Sequence, residues 1–318
     1  MIAPRAGKIL CVGRLYCDLV FSGVPKMPVV GEEIFAKKLS TRAGGGAFIT
    51  AAYLVAADQK VSLCSTIPSG PFGEVIEAEI QKSGIDWSQC LKASAETTPQ
   101  ITVAITTSSD RAFLTNRSGL AIPNTIAAAM DDTELSHVHI AELATLSEFP
   151  KLTQMAKDRG LTVSLDCSWD EILIREPASR ELLKGIDVFL PNEKELRALF
   201  CIEGEISNHQ AEILRHVPVV AVKRGENGAD LITEASMTTA PAIACEVEDT
   251  IGAGDAFNAG FISSWINGRP LYECLRAGNL NGAEATTHIG GTRGPDNLSQ
   301  ILLSELSPYK SQAAGSYY

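Results

Sequence analysis

Short apolar, β-branched runs alternate along the chain with stretches whose apolar positions recur every three or four residues. The runs predict strands at 8–12, 61–65, 100–106, 137–140, 162–166, 188–190 and 219–223. The longer pattern predicts helices at 47–57, 72–83, 126–130, 150–159, 179–184, 193–200, 209–216, 256–265 and 272–288. From about residue 137 to 223 strands and helices take turns, which implies a parallel sheet covered on both faces. Ligands in such sheets sit at the C-terminal ends of the strands. Two regions break the alternation. Residues 18–42 are extended and punctuated by Pro25, Pro28 and Gly31, and 100–118 is β-branched with a turn expected at 108–111. Together they suit a small secondary sheet projecting from the main domain. No internal repeat is present, and the tail after Pro308 reads as frayed.

Composition narrows the class. The 318 residues suffice for one large α/β domain or two small ones, and 45% hydrophobic content is ordinary for a globular protein. A net charge of −11 argues against a nucleic-acid partner, which would need clustered Lys and Arg. The first apolar run, 9–13, is too short for a signal segment or a membrane span. Eight cysteines form no Cys-x-x-Cys pair, so they read as reduced thiols of a cytoplasmic protein. His137 and His139 alternate on a strand and face the same way, a weak metal-pair signal.

The densest chemistry lies at 249–257, Asp-Thr-Ile-Gly-Ala-Gly-Asp-Ala-Phe. Gly252 and Gly254 let the backbone turn its N–H groups toward an anion, Thr250 adds a hydroxyl, and a helix start follows. A helix N-terminus carries roughly +0.5 of an elementary charge and is a ready anion site. Asp255 would sit in the same turn, next to whatever anion is bound. Taken alone, a Gly-x-Gly turn is also a common tight loop. A dinucleotide fingerprint fails because Phe257 stands where its third glycine belongs, and Glu273, at a ribose-acid distance, falls in a helix. The sole Gly-Lys pair, Gly7-Lys8, continues with Ile9, so no Walker A loop exists.

Four weaker signals accompany it. Gly44 to Gly46 precede an apolar helix and form either a loop against a ligand or a flexible joint. Asp18 follows the first strand, placed for ligand hydroxyls or for solvent. Asn192 and Glu195 read as a helix capping box or as groups near a hydrated Mg²⁺. Lys223 to Gly228 forms a glycine-containing turn whose cations could meet phosphate.

Together these motifs resemble, in order and over nearly the whole chain, the ribokinase-like, or PfkB, family of carbohydrate kinases. Asp249-Thr250-Ile251-Gly252-Ala253-Gly254-Asp255 resembles the family's Asp-Thr-x-Gly-Ala-Gly-Asp signature. Gly45-Gly46-Ala47-Phe48-Ile49-Thr50-Ala51-Ala52 resembles its Gly-Gly-x-x-x-Asn-x-Ala signature, and Asn192 to Glu195 its Asn-x-x-Glu motif. Gly13 with Asp18, Gly31-Glu32 and Phe72-Gly73 fit further elements.

The resemblance implies one three-layer α/β/α domain over 1–318, with a mostly parallel central sheet and a β-sheet lid from about 14–42 and 98–118. It implies ATP-dependent phosphorylation of a hydroxyl on a small sugar or sugar-like acceptor. Asp255 would be the general base, and the 251–254 turn, with Gly252, Ala253 and Gly254, the anion hole. Asp18, Gly45, Gly46, Thr50 and Arg14 would meet the acceptor. Asn192, Lys223, Gly225, Gly228, Thr250 and Asn279 would line the nucleotide. Glu195 would hold Mg²⁺ through water, and K⁺ would bind by Asp249 and Ile251.

The chain departs from the family at Thr50, which replaces an Asn, and at Pro68 and Gly70, which replace a Gly and an Asp. Arg14, a bulky cation after Gly13, points to an acidic acceptor or to a surface contact. A nucleoside kinase is the alternative enzyme, and the lid segments hold Phe21, Phe35 and Phe113. A silent nucleotide- or sugar-binding regulator is the alternative class. The extended lid also predicts a homodimer, since a partner tends to cover exposed strand edges.

Overall fold

The computed structural model describes residues 4–107 and 111–288. Most of the turn expected at 108–111, and the tail after Pro308, lie outside the described residues. The central sheet has eight strands, in the spatial order Met237–Ala240, Ala229–Ile232, Val219–Lys223, Val188–Phe189, Thr162–Leu165, Leu135–Ile140, Lys8–Val12, Val61–Cys64. Six are mutually parallel; the first two form an antiparallel hairpin on one edge. Chain order reverses between Lys8–Val12 and Leu135–Ile140, because the chain steps first to Val61–Cys64 and then crosses back. That reversal opens a crevice at the carboxyl ends of the strands.

Buried residues alternate between the two faces of this sheet. Ile9 and Cys11 join the core under the Gly46–Ala56, Ala253–Ile266 and Leu271–Thr286 helices. Leu10 and Val12 join the other core, with Leu143–Glu148, Leu152–Asp158 and Glu193–Phe200. The Ala253–Ile266 helix is apolar on nearly every side, and each residue from Ala256 to Ile266 is buried, as such a pattern requires.

The second sheet has four strands in the order Lys38–Gly44, Tyr16–Ser22, Ile101–Thr106, Arg111–Asn116. Its two central strands run parallel and its outer pairs antiparallel. The irregular regions of the sequence therefore supply the small sheet. Thr66–Ile67 and Leu91–Lys92 make a separate two-stranded ladder.

Most strands fall within one or two residues of their expected bounds. The hairpin Ala229–Ile232/Met237–Ala240 was not legible, because Asp230, Thr238 and Thr239 dilute its apolar pattern. The 209–216 helix resolves into a 3₁₀ turn, Ile206–His209, and one α-turn, Gln210–Ile213. The 179–184 segment belongs to a 3₁₀ helix, Pro177–Leu183. His137 and His139 do share a face, but as core residues. Both are fully buried and hydrogen bonded to Thr162 or Ser164 at 2.8–2.9 Å. Burial depresses both rings, His139 to about 4, and no cluster of three metal-ligating side chains occurs among the described residues.

Candidate active site

The crevice is a cleft of about 1870 Å³ between the carboxyl edge of the large sheet and the small sheet. Its floor is the N-terminus of the Ala253–Ile266 helix. The helix starts three residues earlier than the apolar periodicity indicates, because Gly252 adopts φ 77° and caps it. Only a residue tolerant of the left-handed region ends a loop this way without strain. Asp255 is therefore on the first helical turn rather than in the loop before it. The first N–H groups of a helix lack intrahelical partners and face outward. Ile251 does not contribute to that set, since its N–H donates to Asp249 Oδ1 at 3.0 Å. The Ala253 N–H turns to the Thr250 carbonyl at 3.4 Å, and the Thr250 hydroxyl is held by Arg111 of the small sheet.

Behind the helix lies a charged cluster. Lys223 Nζ donates to Asp166 Oδ1 at 2.9 Å and to Asn258 Oδ1 at 3.1 Å, and Asn258 Nδ2 donates to Asp166 Oδ2 at 2.7 Å. A Cβ placed on Gly254 would lie 3.5 Å from Lys223 Nζ, so the ammonium stands beside the glycine turn. Glu195 completes a capping box: Asn192 Oδ1 accepts from its N–H at 2.9 Å, and its Oε2 accepts from Asn192 N–H at 2.8 Å. The capping reading of Asn192 and Glu195 is thus correct, and both residues also line the cleft.

These carboxyls are electrostatically crowded. Burial pushes Asp255 up to about 7, with Asp166 and Glu195 adding to the rise and Lys223 opposing it. Glu195 is raised to about 7 by burial and then by Asp166. Burial would lower the Lys223 ammonium, yet Asp166 and Glu195 outweigh it and hold it above its ordinary value. One lysine among three acids is a deficit of positive charge. Asp166 and Glu195 are the groups that could hold a hydrated divalent ion, which takes few protein carboxylates and keeps several waters.

On the opposite wall Asp18 sits on the Tyr16–Ser22 strand, its carboxyl raised to about 7 by burial, then by Asp255 and Glu79. The glycines between them are required by space. A Cβ on Gly44 would lie 2.0 Å from Asp18 Oδ2, and one on Gly46 2.8 Å from Asp255 Oδ1. Gly44 to Gly46 is thus the wall against which both carboxylates rest rather than a joint. Gly45, Gly225, Gly228 and Asn279 line the cleft as expected, Asn279 donating to the carbonyls of Ala240 and Pro241 at 3.1 and 2.9 Å.

Two expected acceptor contacts are otherwise employed. Thr50 is fully buried behind the cleft wall, and its hydroxyl donates to the backbone carbonyl of Asp255 at 3.2 Å. Arg14 is neither an open cation nor a surface contact: it is 3% exposed and engaged by Glu142 and Glu148. Asp166, Glu142 and Asn258 were missed. Their signal was positional: Asp166 and Glu142 lie just past central strands, and Asn258 one helical turn after Asp255.

Residues 7–297 match the pfkB family carbohydrate kinase model. An uncharacterized sugar kinase of Archaeoglobus fulgidus is 34% identical over 114 residues, 36% of this chain and 45% of that protein. An ATP-dependent ribose-1-phosphate kinase of Halopiger xanaduensis is 24% identical over 91% of this chain and 95% of its own length. Arabidopsis thaliana ribokinase, solved with ribose and ATP, superposes with TM-score 0.78 at 22% identity, covering 95% of this chain and 99% of its own. A Methanocaldococcus jannaschii nucleoside kinase does so with TM-score 0.76 at 21% identity, covering 96% and 99%. The chain belongs to the pfkB family of carbohydrate kinases and is a phosphotransferase with an alcohol group as acceptor.

Proposed function

From this membership we propose that the protein transfers the γ-phosphoryl group of ATP to a hydroxyl of a small sugar or sugar-like acceptor. The observation that carries this reading is Asp255 on the first turn of a helix whose N-terminus lines the cleft, with Lys223 beside Gly254 of the same turn. Asp255 takes the acceptor proton, the freed oxygen attacks the γ-phosphorus, and the bond to the ADP oxygen breaks. The N–H groups of Gly252 and Gly254, with Lys223, face the charge that grows on the equatorial oxygens. Asp18, Gly45 and Gly46 orient the acceptor from the opposite wall. Phe257, Ile243, Val247 and Asn279 line the far end, where the adenine would lie, with Gly225 and Gly228 along the nucleotide.

A hydrated Mg²⁺ held by Asp166 and Glu195, with Asn192 beside it, would supply the positive charge that this end of the cleft lacks. K⁺ at Asp249 and Ile251, a dimer through the small sheet, and a cytoplasmic location belong to the same reading. Light scattering at micromolar concentration tests the dimer, and a monomer would remove it.

Tyr16, Phe113 and Trp169 also line the cleft, which favours a nucleoside acceptor as the second reading. ADP release with ATP and Mg²⁺, screened over pentoses, hexoses, sugar acids and nucleosides, separates the two. Acceptor-dependent release that vanishes in Asp255→Asn is expected. Release that Asp255→Asn leaves at the wild-type rate would overturn the mechanism.

A further inference from the structure

The small sheet joins the body through four short crossings, at residues 13–15, 44–46, 93–100 and 117–121. Arg14 belongs to the first, and its buried side chain reaches two others. Nη1 donates to Gln100 Oε1 at 2.8 Å and to the carbonyls of Ser118 and Gly119 at 3.1 and 2.9 Å. Gln100 is itself tied to the small sheet, its carbonyl accepting from Cys17 N–H at 3.0 Å. The remaining crossing, 44–46, packs on the Arg14 backbone, where a Cβ on Gly45 would come within 2.3 Å of the Arg14 carbonyl oxygen.

The same guanidinium is anchored in the body. Nη2 donates to Glu148, whose other oxygen accepts from Ala121 N–H at 3.0 Å. Nε has no hydrogen-bond acceptor and faces Glu142 Oε1 at 3.5 Å. Glu142 lines the cleft and is steadied by Thr145, which donates to it at 2.8 Å. A planar guanidinium suits this task because its five donors project in fixed directions, which a lysine cannot reproduce. With two carboxylates already on it, Arg14 is badly placed to receive an acidic acceptor.

We infer that Arg14 is a positioning residue: it gathers the lid's crossings onto Glu142 and Glu148 and so sets the lid over the acceptor site. The link to the acceptor rests on the kinase reading above, in which Asp18, Gly45 and Gly46 orient the acceptor beside this junction. The mechanical part does not.

Hydrogen exchange on the full-length chain, comparing wild type with Arg14→Met, Arg14→Lys and Glu148→Gln, tests the inference. Losing one partner of a buried pair strongly destabilises whatever it holds. In Arg14→Met, amides of Tyr16–Ser22, Lys38–Gly44 and Ile101–Thr106 should exchange at least about tenfold faster, with Lys8–Val12 and Thr162–Leu165 unchanged. Arg14→Lys and Glu148→Gln should fall between, which keeps the test open should the methionine variant not fold. With an acceptor from the screen, KM for that acceptor should rise about tenfold in Arg14→Lys while KM for ATP stays near wild type.

Unchanged exchange in the lid, or equal acceleration of lid and body in all three variants, would overturn the inference. A raised acceptor KM with unchanged lid exchange would make Arg14 an acceptor ligand instead and would likewise overturn it. Should no acceptor emerge from the screen, the kinase reading is in difficulty and the exchange result still decides the role of Arg14.

Discussion

The Ala253–Ile266 helix and the Arg111–Asn116 strand line the same cleft by opposite means. Every helical residue from Ala256 onward is buried, whereas all six strand residues are exposed. On the helix side, position is fixed by packing into the core, and the charged groups hold one another: Asp166, Lys223 and Asn258 form a closed triangle of hydrogen bonds. On the lid side, position is fixed by backbone pairing within a small sheet and by its crossings into the body. The difference separates what must be invariant from what can vary. Phosphoryl transfer needs charges held still while water is excluded. Acceptor choice needs a wall whose side chains can be exchanged without disturbing a core.

The largest expected effect tests the helix side. Asp255→Asn removes the base but keeps the packing and the helix N-terminus, so kcat should fall about 10²–10⁴-fold with ATP affinity nearly unchanged. Steady-state ADP release and nucleotide titration measure the two, and a kcat within threefold of wild type would end the division drawn above. Next comes the interface between the halves. Gly44→Ala puts a Cβ 2.0 Å from Asp18 Oδ2, so the carboxyl must move. The acceptor KM should rise by about tenfold or more, in line with a misplaced binding group, while the KM for ATP holds. An equal loss in both would mean the wall is shared.

The pH profile sharpens the same contrast. Because burial, with Asp166 and Glu195, lifts Asp255 to about 7, kcat/KM should climb about tenfold per unit up to about pH 7 and then level. Stability should run the other way. A carboxyl whose folded value lies above its unfolded value stabilises the fold at low pH, and that contribution is lost as pH rises through 7. Asp255→Asn should therefore melt a few degrees above wild type at pH 8 and scarcely differ at pH 4. A variant that melts lower at pH 8 would show the carboxylate to be well solvated in the folded protein. The smallest effect belongs to Thr50→Val, which deletes one hydrogen bond to the Asp255 carbonyl. Chemical denaturation should register about 0.5–1.5 kcal/mol, with the acceptor KM unchanged; a large change in KM would return Thr50 to the acceptor wall.

The sequence was legible wherever a local rule and the tertiary environment agree. The Glu193–Phe200 helix carries its own start in Asn192 and Glu195, so its bounds and its capping box could be read directly. The cleft-lining turn at Gly252 to Asp255 was legible because glycine spacing beside a carboxylate is a local signal. Asp166, Glu142 and Asn258 were not, because their meaning depends on which strands become neighbours, and the crossover between Lys8–Val12 and Leu135–Ile140 is non-local. The partners of Arg14 were illegible for a related reason. Gln100, Ser118, Glu142 and Glu148 lie 86 to 134 residues away along the chain, so nothing local shows that this cleft-lining arginine is already paired.

Asp255 grows from the most deeply buried helix of the described chain, and that has a consequence for how the molecule dies on heating. Asp255 cannot drift from its place while the core survives, because its helix is part of that core. Loss of the chemical step should coincide with cooperative melting of the whole body. The lid, with its thin attachment, should loosen at lower temperature, so that a warmed sample first loses its grip on acceptor and only later its power to turn over what it holds.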